Sequence, residues 1–231
     1  MVNFTSAPLN AYTWTLGAIA VYAFSTKSIL SYRRTKNPLA HIYSWLGFTF
    51  ATGMLFYGLP GLITQNPHTI RYTYFLADIF VQLSLQFGIW LLWFIGMRVY
   101  ISLKYLLALT VPLSIAIMII EVLTSKVTIS ASPHLIIYTD MFIVLVLKSI
   151  IYILVALPLA YFLLKQVPNQ ATWRAKFQSF IAGMIFITVC LAATSNNIFD
   201  KGSDTVQSSM DLAIFFTIFL LAQLPRPFKH H

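Results

Sequence analysis

Three aspartates and one lysine stand inside long apolar runs of this chain: Asp78, Asp140, Lys148 and Asp211. An ionisable group held in hydrocarbon costs about 2.5–3.5 kcal/mol on insertion scales, so such residues turn toward each other, toward a wet cavity or toward a ligand. A buried ammonium must find a counter-charge or give up its proton. The chemistry on offer is therefore a structural ion pair, a site for a polar ligand, or a proton relay. Gln82 and Gln86 follow Asp78 by four and eight residues, which keeps all three on one helical stripe. Lys148 follows Asp140 by eight residues. On one helix, that spacing sets them about 12 Å apart and within about 80° of the same face. Asp78 and Asp211 are the expected partners of Lys148. Asn196, with Asn197, closes the outer end of the sixth apolar run, and Glu121 lies nearer the surface than the aspartates. The expected ligand-binding set is Asp78, Gln82, Asp140, Lys148, Asp211 and Asn196.

The elements that position these groups follow from composition. The 231 residues are 58% hydrophobic and 9% charged, with a mean hydropathy of +0.78. A soluble domain carries about 25% charge; a chain this poor in charge needs lipid around it. A hydrocarbon core about 30 Å thick takes about 20 apolar residues per helix. Seven stretches qualify: 10–31, 41–63, 73–96, 102–123, 135–164, 177–199 and 206–224. The expected fold is a single all-α domain of seven transmembrane helices, residues 1–231, with a lipid bilayer as its first partner.

Charge orients the bundle. Eleven of the fifteen Lys and Arg residues fall on one side of the segments, including Arg33, Arg34, Lys36, Arg98, Lys104, Arg174 and Lys176. Arg71, Lys126 and Lys201 fall on the other, and all six acidic residues lie toward that second side. The basic side is the cytoplasmic one. The N-terminus is then outside and the C-terminus inside, in the plasma (inner) membrane. The same reading accounts for the net charge of +9 without nucleic acid, because the basic residues sit in short loops. Cys190 is the one cysteine, so no intrachain disulfide forms. His230 and His231 read as the stub of a purification tag.

Three local matches suggest a 3+1+3 parallel repeat. Ala40–Leu46 lies on Ala175–Ile181, Asp78 on Asp211, and Tyr12-Thr13 on Tyr138-Thr139. Parallel repeats of this kind occur in transporters. Pro112 within the fourth segment predicts a kink. No phosphate loop, no CxxC and no order of Ser, His and Asp appears, so an enzyme is not expected. Nor is a cofactor. His68 and His134 lack tight ligand spacing, so a metal is not expected either.

Trp173-Arg174-Ala175-Lys176-Phe177-Gln178-Ser179-Phe180-Ile181-Ala182-Gly183 resembles the basic loop and small-residue start of the sixth helix in the seven-helix sensory modules of some bacterial histidine kinases and diguanylate cyclases. The resemblance covers helix count, orientation and this loop. It implies a sensory role; no output domain follows the seventh segment, so either one was removed, or the signal passes to a separate cytoplasmic partner, or the analogy fails. Arg71-Tyr72 and Asp211 are similar to the microbial rhodopsin pattern. That family's retinal lysine follows its seventh-helix aspartate by four residues, and Phe215 stands there instead. The expectation is a non-enzymatic sensory or ligand-binding protein with an outward-facing polar pocket for an unknown small ligand. The alternative is a small solute or proton-coupled transporter or channel.

Overall fold

The computed structural model describes residues 7–98, 100–131, 134–170, 172–173, 176–177, 179–184 and 186–187. Five helices and one hairpin follow in order: α1 (Leu9–Thr35), α2 (Pro38–Ile63), α3 (Pro67–Leu92), α4 (Leu103–Thr124), β1 (Lys126–Ala131), β2 (His134–Thr139) and α5 (Phe142–Gln166). The described residues of the sixth expected segment, 177, 179–184 and 186–187, are helical too. Among the described residues, four helices are long and apolar enough to cross a membrane, Pro38–Ile63, Pro67–Met97, Leu103–Thr124 and Phe142–Gln166. The chain is accordingly a mostly helical integral membrane protein. α1 has the length, 27 residues, but Ser25, Thr26, Lys27, Ser28, Ser31, Arg33 and Arg34 dilute its hydropathy. The seventh expected segment lies outside the described residues.

The tight turns are written in capping residues. α2 and α3 each open with Asn-Pro: Asn37 accepts a hydrogen bond from the Leu39 N–H at 3.0 Å, and Asn66 accepts from His68 N–H at 3.0 Å. Asparagine satisfies an orphan amide there, while proline at the first helical position has none to satisfy. α1 ends at Lys36, whose backbone is left-handed with φ 55° and whose N–H returns to the Tyr32 carbonyl. Turns this short, two residues between α1 and α2 and three between α2 and α3, leave neighbouring helices antiparallel.

α1, α2 and α3 pack side by side. Their contacts depend on small residues. A Cβ at Gly58 would meet the Ala11 carbonyl oxygen and the Thr15 nitrogen at 2.7 Å, and one at Gly53 would meet the Ala77 carbonyl oxygen at 3.0 Å. Without a hydrophobic drive between helices in lipid, close backbone approach of this kind supplies the van der Waals contact. α4 is the most exposed of α1–α5. It buries Ser114, Ile117 and Glu121 on one stripe and turns Leu109, Ile115, Ile119 and Leu123 outward. α3 runs on into a π-helical turn at Trp93–Met97, and the indole N–H of Trp93 donates to the Ile101 carbonyl at 2.7 Å. This turn marks the weak break expected around Arg98 and Lys104.

The hairpin is a correction to the sequence reading, which places 135–141 in the fifth helix. Here 134–139 is a strand paired antiparallel with 126–131, with Lys126 opposite Thr139 and Ala131 opposite His134. β-branched residues explain it: Val127, Thr128, Ile129, Ile136, Ile137 and Thr139 favour the pleated backbone. The run is apolar enough to pass for helix, and Ser132-Pro133 supplies the turn signal. Ile136 packs with Ala11 and Ile70, beside Val127 and Ile129. Asn10 fixes the strand from both sides, its amide donating to the Ile136 carbonyl at 2.8 Å and its oxygen accepting the Ile136 N–H at 3.2 Å. The hairpin thus lies over the end of the bundle where α1 and α3 begin. Open strand edges are not tolerated against lipid tails, so the ribbon belongs at the membrane boundary. Tyr12 stands in a helix and Tyr138 in a strand, so that pair of positions is not equivalent, against the repeat expectation.

Candidate functional site

Four ionisable side chains from three helices and one connecting residue meet in the interior. The Lys148 ammonium lies 3.1 Å from Asp78 Oδ1, 2.5 Å from Glu121 Oε1 and 3.5 Å from Asp140 Oδ2. All are buried, the side chains of Lys148, Asp78, Glu121 and Asp140 being 8%, 3%, 1% and 5% exposed. Two phenols complete the shell. Tyr74 donates to Asp140 Oδ2 at 2.8 Å, and Tyr57 donates to Asp78 Oδ1 at 3.4 Å. The ammonium also lies 5.7 Å from the Tyr74 ring centroid, within cation–π range.

Helix geometry assembles this set. Asp78 and Tyr74 are one turn apart on α3, both on its buried face. Glu121 continues the Ser114 and Ile117 stripe of α4. Gln86 ties the two helices together two turns further along α3. Its amide donates to the Ser114 hydroxyl at 3.0 Å, and its oxygen accepts from Thr110 at 2.8 Å. Lys148 sits six residues into α5, about 9 Å from its start. Asp78 lies eleven residues into α3, about 17 Å along, because α3 begins at Pro67 rather than at residue 73.

Lys148 and Asp78 meet as the sequence reading expects. Asp140 joins them by a different route. It precedes α5 instead of lying within it, so the chain bends back and brings its carboxylate within reach, where a continuous helix would hold it about 12 Å away. Glu121, read from sequence as shallow, is a full member. Its signal was its place on the same helical stripe as Ser114 and Ile117. Gln82 is buried at 2% exposure one turn beyond Asp78. Neither atom of its amide has a hydrogen-bond partner among the described residues. Asp211 and Asn196 fall outside the described residues, so the pairing of Asp211 with Lys148 is not visible.

The charges do not balance. Three carboxylates surround one ammonium, which leaves two negative charges when all are ionised. Asp78 Oδ2, Glu121 Oε2 and Asp140 Oδ1 are buried with no hydrogen-bond partner among the described residues. Such atoms cost about 1–3 kcal/mol each, and more when charged. A proton or a cationic hydrogen-bond donor would relieve two facing carboxylates together. No group of three His, Cys, Asp or Glu residues is placed to hold a metal ion among the described residues; Lys148 already occupies the centre of the carboxylates.

The cluster also has an apolar flank. A cavity of about 280 Å³ lies between α3 and α4, lined by Phe75, Ile79, Ile115, Ile119 and Leu123 among others, and Asp78 and Glu121 reach its wall. A scan against protein-family models and a search of the curated proteins find no match to this chain.

Proposed function

We propose that this protein is a non-enzymatic sensory or ligand-binding membrane protein. In this reading seven helices cross the plasma membrane, with the amino end outside, and the signal passes to a cytoplasmic partner. The binding site is the cluster of Asp78, Glu121, Asp140 and Lys148, in the half of the bundle that faces outward. The observation that carries the reading is the excess of carboxylates around Lys148, since a purely structural pair would need one carboxylate and not three. A ligand or proton with positive charge completes the set. The side chains are almost fully enclosed, so ligand-free and ligand-bound forms differ by a rearrangement of α3, α4 and α5. That is what a sensor requires, because a ligand shifts a conformational equilibrium only by its differential affinity for the two states.

Transport is the second reading, and the same charge surplus supports it, as a carboxylate cluster of this kind can load and release a proton. Flux separates the two. Purified protein in liposomes is exposed to proton and small-cation gradients while Trp emission and charge movement are recorded. A saturable emission change that is lost in Asp78→Asn, with no charge movement, fits sensing. Steady flux that disappears in Asp78→Asn overturns it in favour of a carrier.

A further inference from the structure

α3 and α4 are tied together at two levels. At the first, Asp78 and Glu121 meet on the Lys148 ammonium. At the second, two turns further along α3, Gln86 donates to Ser114 and accepts from Thr110. Residue numbers rise along α3 as they fall along α4, so the helices run antiparallel, and Gln82 stands midway between the two ties, at the level of Ile117. The side chain of Ile117 is apolar and fully buried, so α4 offers Gln82 nothing there. Gln82 is itself only 2% exposed. Neither the nitrogen nor the oxygen of its amide has a hydrogen-bond partner among the described residues. Asp78 and Gln86, its neighbours one turn to either side, do not reach it directly.

Buried side-chain amides are hydrogen-bonded, either to the chain or to internal water. We infer that Gln82 holds internal water between α3 and α4. Water suits this amide because both its donor and its acceptor sides are open, and water answers both; a cation would serve the oxygen alone, and an anion the nitrogen alone. The flanking turns supply the other partners that such water needs. A helical side chain leans toward the preceding turn, which for Gln82 carries Asp78. On the other side, Gln86 spends one amide hydrogen on Ser114 and one lone pair on Thr110, and an amide has two of each. Water at Gln82 thereby joins the ionic cluster to Gln86, Thr110 and Ser114 in one hydrogen-bonded file. From Asp78 to Gln86 the file spans about 12 Å of α3, running away from the hairpin. It gives the buried carboxylates a route for proton exchange into the bundle, whether the cluster senses or carries.

The test is hydroxyl-radical footprinting with synchrotron X-ray pulses, on the full chain in phosphatidylcholine nanodiscs. Each radical forms from a water molecule where that molecule sits, so a buried residue is oxidised only beside internal water. Oxidation is read residue by residue by mass spectrometry. Ile117 is the reporter, and Leu91 and Leu159, equally buried at 0% exposure in a separate apolar cluster, are the dry references. The expected result is oxidation of Ile117 about tenfold faster than of either reference. Gln82→Leu removes both polar atoms at nearly constant volume and should bring Ile117 down to the reference rate. The unsubstituted chain decides the matter even where Gln82→Leu does not fold. Oxidation of Ile117 no faster than that of Leu91 and Leu159 overturns the inference; it is also the outcome if a side chain from beyond the described residues takes up the amide. Fast oxidation of Ile117 that persists unchanged in Gln82→Leu overturns it as well, since the water then belongs elsewhere.

Discussion

Along the α1–α2 seam, polar groups are settled locally. The Ser25 and Ser28 hydroxyls donate to carbonyls of their own helix at 2.8 and 3.1 Å, Tyr22 and Thr52 share a bond of 2.7 Å, Gly47 makes room for the Ser25 side chain, and Gly58 lets the backbones meet. Where α3, α4 and α5 meet, the ionisable groups depend on partners from other elements. Lys148 relies on Asp78, Glu121 and Asp140, and each of those keeps an oxygen unpaired. The first region is complete but for one atom, the buried His41 Nδ1 beside the Tyr32 ring, which has no hydrogen-bond partner among the described residues. The second is complete only with added hydrogen or positive charge, and an incomplete interior is where a membrane protein can respond to its surroundings.

Substitutions that break this contrast have graded effects. Lys148→Met should be the most damaging, because three buried carboxylates lose their common counter-charge; removing one partner of a buried ion pair costs about 3–5 kcal/mol. Thermal unfolding in detergent reads this, and an unchanged midpoint would show that the cluster does not need its lysine. Gly58→Val comes next. Its Cβ meets backbone atoms of α1 rather than yielding side chains, so overpacking of about 1–3 kcal/mol is expected, read by the same unfolding transition. Gln86→Leu removes the bonds to Thr110 and Ser114. Interhelical hydrogen bonds in membranes average about 0.6 kcal/mol and reach about 1.7, so a modest loss is expected, with α4 the first helix to gain hydrogen exchange. Ser25→Ala should change stability by less than about 0.5 kcal/mol, since its hydroxyl serves only its own helix. A large effect there would erase the distinction between the two regions.

The sequence discloses Asp78 and Lys148 because charge stands out against apolar neighbours. It also discloses the Asn-Pro starts of α2 and α3, because capping chemistry is local. It conceals the role of Glu121, since nearness to a helix end reads as access to water while packing decides otherwise. It misleads on Asp140: the β-branched run before it satisfies a hydropathy window, and only pairing with residues 126–131 reveals a strand. The shared feature of the concealed residues is that contacts made at long range settle them. Asp211 and Asn196 remain expectations, beyond the described residues.

Asp140 is joined to β2 directly and to α5 through Met141 alone. The ribbon and the ionic centre therefore share a lever. A pull on the strands is carried to the carboxylate that Tyr74 holds and Lys148 faces. An antibody fragment gripping the ribbon would thus clamp the buried charges in one arrangement, giving an experimenter a handle on them that never has to enter the oil.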